Sequence, residues 1–464
     1  MTPTRMPSGA VTPSQRLTRS EPAPPVRMVH LGLGAFFRAH LAWYTQHAHG
    51  AGEWGIAAFT GRTATAAHAL AAQDGLYTLV TRGAGGDTTE VVRSVAAVHA
   101  STDHEAFLGY LRDPAVVVVS LTVTEAGYCT GTGVELDLGR DDVRADVRAL
   151  RADPTAPVST VPARLLAGVL ARHEAGLPPV AVMSCDNVPG NGAVTARVVR
   201  DLATEVSPDL PAVVDRVEFV STVVDRITPR ATEADRASVT RTTGWRDASP
   251  VVAEPFSEWV LQGDFASGRP RWETSGARFV ADLKPFEQRK LWLLNGAHSL
   301  LAYVGGVRGH RTVAEAVADP RCVHEVEQWW DQVEPHLALG REEVAAYRSA
   351  LRGRFANPRI RHELAQIAVD GSVKLPLRVL PVLRAEREAH REPGAVAPMM
   401  AAWVLHLRGA GPPVADVHAD ELAPLVSGPL EVAVRRVLSR WGPDLAADDT
   451  LVRATLDAAA GLTP

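Results

Sequence analysis

The run Val116–Leu121 constrains this chain more than any other stretch, because four successive valines and a leucine, broken only by Ser120, show no hydrophobic–polar alternation. Such a strand must be buried on both faces, as in a parallel sheet covered by helices on either side. Pro179–Ser184 reads as another buried strand and Val217–Val224 as a third that likewise ends in polar residues, and Val26–Leu31 and Gly55–Phe59 precede them as short strands. Further strands are expected at Leu76–Thr81 and Val91–Val98, and helices near His104–Leu111, Ala163–Glu174 and Ala193–Glu205. Residues 137–160, rich in Asp, Arg and Pro, look like an excursion. Strands alternating with helices predict an α/β, Rossmann-like N-terminal domain over 26–284. Beyond it the strand signal fades, and 285–464 reads as a mostly α-helical C-terminal domain, with ten helices expected from 286–304 to 447–459. Residues 1–25, rich in Pro, Ser, Thr and Arg without an apolar core, read as a disordered or loosely draped tail rather than a signal peptide.

The ends of the strands carry the chemistry. Val26–Leu31 runs directly into Gly32-Leu-Gly34-Ala-Phe36-Phe37-Arg38-Ala-His40, and Ala39–His49 reads as the helix that follows. Strand, tight glycine turn and helix N-terminus make a cradle for the pyrophosphate of a dinucleotide. Phe37 stands where the usual fingerprint has its third glycine. The second strand ends in Phe59-Thr-Gly-Arg62-Thr without the carboxylate that normally binds the ribose diol of NAD. Arg62 there either meets the 2′-phosphate of NADP, lies over the adenine, or is simply a solvated loop arginine. Thr122 and Glu125, Asn187 and Asp225 follow the three buried strands in turn. Polar residues at the carboxyl ends of central strands are where doubly wound sheets bind ligands.

A second cluster lies on one predicted helix that opens with Pro285 and carries Glu287, Lys290, Asn295 and His298 among Leu291, Leu294, Leu300 and Leu301. On an ideal α-helix these four polar residues fall within an arc of roughly 140°. Of the 48 basic residues only Lys284, Lys290 and Lys374 are lysine. A composition that has turned nearly every cation into arginine leaves lysine where something other than positive charge is required. Arginine does not lose its proton in a protein, whereas a desolvated lysine readily does. Lys290 is therefore the candidate general base for oxidising an alcohol, with Asn187 and Asn295 as donors to the developing oxyanion and His298 as a donor to the same or a neighbouring hydroxyl. Glu287 either relays protons between Lys290 and solvent or is an exposed partner one turn away. Because this helix opens the second domain, its polar residues are expected to face a cavity at the domain seam.

Composition limits the alternatives. A net charge of −5 and a pI near 6.4, with no basic tract, argue against a nucleic-acid partner. Cys129, Cys185 and Cys322 are far apart, which fits a reducing cytoplasm and offers no zinc-cluster spacing. Ala115–Val119 and Met399–Leu405 are too short to span a bilayer, so no membrane partner is expected.

The motifs Gly32-x-Gly34-x-Phe36-x-Arg38-Ala39-His40, Thr124-Glu125-x-Gly127-Tyr128, Ser184-Cys-Asp-Asn-x-Pro-x-Asn-Gly192, Asp225-Arg-Ile-Thr-Pro229 and Lys290-x4-Asn295-x2-His298 together resemble the mannitol dehydrogenase family. The resemblance covers about 26–440 and implies a metal-independent NAD(P)-dependent enzyme, a monomer or small homo-oligomer, acting on a polyol or sugar acid. It implies Lys290 as the catalytic lysine, Asn187 and Asn295 as the oxyanion pair, and His298, Asp225 and Lys374 as substrate-side residues. The sequence departs from the mannitol 2-dehydrogenase branch at two places. Ala64 and Thr65 replace an acidic pair after the second strand, which leaves NADP open beside NAD. Gln366 stands where that branch has a substrate-contacting arginine, which is more like the fructuronate reductase branch. A phosphorylated polyol and a catalytically silent nucleotide sensor are the rival readings; a sensor has no need to keep a base and an oxyanion pair together.

Overall fold

A computed structural model describes residues 15–61, 63–131 and 133–462, and the chain divides into two compact units between Leu283 and Lys284. In chain order the strands are β1 (Gln15–Arg16), β2 (Val26–Leu31), β3 (Gly55–Phe59), β4 (Tyr77–Gly83), β5 (Gly86–Val92), β6 (Val95–His99) and β7 (Val118–Leu121). They continue with β8 (Ala181–Ser184), β9 (Glu218–Asp225), β10 (Trp245–Arg246), β11 (Val251–Ala253), β12 (Glu258–Gln262) and β13 (Arg278–Phe279).

The main sheet has eight strands in the order β13-β12-β9-β8-β7-β2-β3-β6, parallel throughout except where β12 runs against β9. From β2 the chain builds outward to β3 and β6, then returns to add β7, β8 and β9 on the other side. The reversal between β2 and β7 is the topological switch point at which doubly wound sheets bind ligands. Register keeps the strand ends level: Leu31 pairs with Leu121, and Leu121 with Ser184. The lack of alternation in the central strands is explained by two cores, one on each face. Val119, Leu121 and Val182 pack with Phe107, Leu166 and Val198 on one side. Val118, Ala181 and Met183 pack with Phe37, Tyr44 and Trp259 on the other.

Three expectations for this unit change. Residues 15–25 are not a loose tail. β1 pairs with β10, Leu17 is buried, and the Arg19 guanidinium donates to the carbonyls of Asp74, Arg93 and Val95 at 2.6–2.8 Å. The stretch 137–160 contains a helix, Asp141–Ala152, that buries Val143, Val147 and Leu150 as an amphipathic stripe. The strand expected over Val91–Val98 is split: β5 closes a small sheet, β11-β4-β5, and only β6 joins the main one.

The second unit is helical. Its first helix runs without a break from Lys284 to Gly305 but changes pitch, with π-helical turns at Lys290–Gly296 and Leu301–Gly305. The helix expected over 358–369 shrinks to Leu364–Ala368. The expected 376–388 becomes Gly371–Arg378, with Pro376 inside it, and Leu380–Glu388. No helix among the described residues is long and apolar enough to cross a membrane.

Candidate active site

In the first unit the glycine turn is built by its neighbours. Gly32 has φ +112°, and a Cβ there would overlap the Thr122 carbonyl oxygen. Thr122 Oγ1 donates to the Gly32 carbonyl at 2.8 Å, and buried His30 bridges Ser120 and Thr122 at 2.9 Å each. Burial pushes the His30 imidazole down to about 3, so it holds the turn as a neutral group. Gly34 differs. Its φ of −109° suits any residue, and the nearest atom to a Cβ there is Gly32 O at 3.6 Å. Neither strain nor protein packing calls for glycine at 34, and the space beside it is open, as at the second glycine of a dinucleotide turn.

The helix after the turn is broken at His40 into Ala35–Ala39 and Leu41–His47 rather than running over Ala39–His49. Phe36 is half-buried on it, stacked on His40 with ring centroids 5.0 Å apart. The side chains of Phe37 and Arg38 are committed to the interior, which corrects their expected contact with a cofactor. Phe37 stacks on His30 with centroids 3.7 Å apart, and Arg38 donates to Gly34 O and to Ser249 Oγ at 2.9 Å. Arg62 lies outside the described residues. Glu125 is exposed in the short turn after β7.

Asn187 sits one residue beyond a polar lock that the sequence reading missed. The Tyr128 hydroxyl donates to the Asp186 carboxylate, which also accepts the Val188 N–H at 3.2 Å. Asn191, fully buried at the start of the helix Asn191–Val206, donates to Thr222 O at 3.1 Å and Asp186 O at 3.3 Å. It accepts from Thr222 N at 2.9 Å, so it ties the exit of β8 to β9. Asp225 is buried at the end of β9. Burial, ahead of its hydrogen bonds, pushes the Asp186 carboxyl up to about 6. The motif Asp-Asn-x-x-x-Asn was visible; that its first and last members brace the middle one was not.

In the second unit the π turn rearranges the expected face. Residues five apart lie about 140° apart on an α-helix, whereas a π turn bonds residues five apart and draws them towards one face. Lys290 and Asn295 are such a pair, both half-buried, and Glu287 lies in the first helical turn. The turn is held open by tryptophans on the helix Pro320–Val333: Trp329 Nε1 donates to Trp292 O at 2.8 Å and Trp330 Nε1 to Leu293 O at 2.9 Å. A Cβ on Gly296 would lie 2.7 Å from the Trp329 indole, which fixes how closely they approach.

His298 is buried beside Phe355 and His362, with ring centroids 4.9 and 4.8 Å away. Burial first, then the charges of His362, Arg354 and Arg378, hold it well below its ordinary value, so the imidazole is neutral at neutral pH. Its Nε2 has no hydrogen-bond partner among the described residues. Buried polar atoms are rarely left so; this one is suited to a ligand hydroxyl. Lys374 is half-buried on Gly371–Arg378 and reaches Ile367 O at 3.4 Å, while Gln366 is exposed. Arg378, four residues after Lys374, was not anticipated; Pro376 between them disguised the helix that puts both on one face. Elsewhere, His310, Asp319 and Cys322 bring possible metal ligands within 4.8 Å. Arg308 donates to Cys322 Sγ at 3.4 Å and Arg321 to Asp319 at 2.9 Å, so guanidinium charge already occupies that cluster.

Comparison with known proteins gives the family. Residues 26–274 match the mannitol dehydrogenase Rossmann domain and 282–436 the mannitol dehydrogenase C-terminal domain. The chain belongs to the mannitol dehydrogenase family. It is 37% identical over 394 residues to the D-mannonate oxidoreductase of Escherichia coli, covering 82% of this chain and 80% of that one. A crystal structure of D-sorbitol dehydrogenase in substrate-free form superposes with a TM-score of 0.87 at 28% identity, covering 97% of each chain. The Pseudomonas fluorescens mannitol 2-dehydrogenase ternary complex with NAD and D-mannitol has a TM-score of 0.79 at 32% identity, covering 97% of this chain and 93% of that one.

Proposed function

We propose that the protein is an NAD-dependent oxidoreductase of the cytoplasm that interconverts a secondary alcohol of a polyol or aldonate with the corresponding ketose or keto-acid. The observation that carries this reading is the π turn Lys290–Gly296, which gathers an amine and a carboxamide on a helix that goes on to a buried, unpartnered imidazole. NAD fits the first unit, where Gly34 leaves room at the switch point, and when bound it supplies the hydride acceptor. Lys290 takes the hydroxyl proton during oxidation and returns it during reduction. The amides of Asn187 and Asn295 donate to the oxygen as negative charge grows on it, where such donors act most strongly. Neutral His298 donates to, or accepts from, a substrate hydroxyl and so fixes the sugar's register. Glu287, in the turn before, passes the proton between Lys290 and solvent, and Asp225, Lys374 and Gln366 contact the remainder of the substrate. Like its relatives' substrates, the substrate is a small molecule; the turn from Gly32 to Ala35 holds the nucleotide, with Gly34 the point of close approach.

The test is the change in NADH absorbance with fructose, then fructuronate, for wild type and two variants. Lys290→Ala is expected to lower turnover by about 10²–10⁴-fold with NADH affinity unchanged. Lys290→Arg should be nearly as slow, since it keeps the charge but not the proton transfer. A Lys290→Ala enzyme retaining more than about a third of wild-type turnover would remove the lysine from this role, well outside the range expected for a general base.

A further inference from the structure

We propose that Arg378 forms an anion subsite beside the helix face of Lys290, Asn295 and His298, so that the preferred substrate carries a carboxylate or phosphate rather than being a neutral polyol. The inference rests on the dehydrogenase reading above and narrows its substrate. Arg378 Nη1 donates to Ser299 Oγ at 3.0 Å and reaches the Asn295 carbonyl at 3.4 Å. Its Nε and Nη2 have no acceptor, and it has no carboxylate partner, among the described residues. Burial is what most alters it, lowering the guanidinium to about 10, and the Tyr303 hydroxyl beside it is neutral near neutral pH. The neighbourhood is otherwise basic: Arg354, His362 and Arg378 all act on His298, and no acid does.

Arg378 is half-buried, and a guanidinium partly withdrawn from water without a counter-ion carries a cost. Support of the Asn295 carbonyl does not account for it, because that needs one N–H and no charge, which glutamine would provide. What glutamine lacks is the planar fork that accepts a carboxylate or phosphate through two parallel bonds. Lys374, one turn earlier on the same helix face, adds a second cation. Polyol hydroxyls would meet the donors but leave the charge unbalanced; an anionic terminus meets both.

The experiment compares kcat/KM of the full chain with NAD for D-mannitol, D-mannonate and D-mannitol 1-phosphate, which differ at one end of the same carbon chain. One of the two anions is expected to exceed mannitol by at least about 10-fold, and which one identifies the carboxylate or the phosphate as the group bound. Arg378→Gln should lower kcat/KM for that anion by about 10- to 100-fold, mainly through KM, the range of hydrogen bonds to a charged group. Mannitol turnover and the thermal midpoint should stay near wild type. Arg378→Lys should recover part of the loss. Should the glutamine variant fail to fold, competitive inhibition of the wild type by inorganic phosphate against the sugar stands in for it. Preference for mannitol, equal losses on all three compounds, no turnover of either anion, or, in the fallback, phosphate that does not compete, would each overturn the subsite. The wild type separates the two readings: if it turns over none of the three compounds with NAD the dehydrogenase reading fails, whereas turnover of mannitol alone fails only the subsite.

Discussion

Gly32 and Gly34 make different demands, and two alanine substitutions separate the fold from the cofactor. At Gly32 a side chain meets both a positive φ and the Thr122 carbonyl. The backbone strain is worth about 1–3 kcal/mol, and forcing neighbours apart adds about 1–3 kcal/mol. Gly32→Ala should therefore lose about 2–6 kcal/mol, or roughly 4–12 °C in thermal midpoint at about 2 °C per kcal/mol for a unit of this size. At Gly34 the backbone is ordinary and the nearest contact is 3.6 Å, so alanine costs the fold nothing. It should even stabilise slightly, by up to about 1 kcal/mol, because the unfolded chain loses freedom. Its Cβ instead fills the space through which a pyrophosphate approaches. Differential scanning fluorimetry and NADH fluorescence titration read the two effects. Gly34→Ala is expected to melt like wild type while its NADH affinity falls at least tenfold, about 1.4 kcal/mol. If Gly34→Ala bound NADH as wild type does, the turn would not be a dinucleotide cradle. If Gly32→Ala melted normally, the steric argument at Thr122 would be wrong.

Other expectations concern the polar groups. Asn187→Ala and Asn295→Ala should each cost about 2.7–4 kcal/mol of transition-state stabilisation, seen in kcat; a change confined to KM would mean uniform substrate binding instead. Asp186 has a raised folded-state value, so native stability from this group is full below about 3.8, falls as pH rises through about 6 and is then constant. Asp186→Asn removes that titration, and its unfolding free energy relative to wild type should rise between pH 4 and pH 7, by about 3 kcal/mol at most; a pH-independent difference would refute the buried carboxylate. The same variant should turn over more slowly, because Asn187 loses part of its bracing.

The parts of the fold that sequence made legible are those where neighbours in the chain decide the outcome. Continuous runs such as Val116–Leu121 reveal a strand buried on both faces, and register then aligns the polar residues that follow. Residues 15–25 gave no such sign, because their order comes from pairing with Trp245–Arg246 and from carbonyls some 55 to 76 residues away. Gly86–Glu90 is too polar to read as a strand; hairpin pairing with β4 makes it one. The helix Asp141–Ala152 did have an amphipathic signal, in Val143, Val147 and Leu150, masked by the charges between them. At the site, residue types and spacing named Lys290, Asn295 and His298. The pitch of their helix was beyond reach, because the carbonyls freed by the π turn are met by Trp329 and Trp330 from another helix.

That change of pitch has a bearing on insertions and deletions. A π turn is an α-helix with one surplus residue, and the surplus is absorbed locally. Deleting one residue between Lys290 and Asn295 would return the segment to ordinary pitch and leave everything downstream pointing as before. His298 and the helix beyond it would keep their facing, while the lysine and the amide would stand four apart instead of five. A single-codon gap at this point would keep the helix but take from the Trp329 and Trp330 indoles the carbonyls they meet, and it would take apart the pair on which the proposed proton transfer depends.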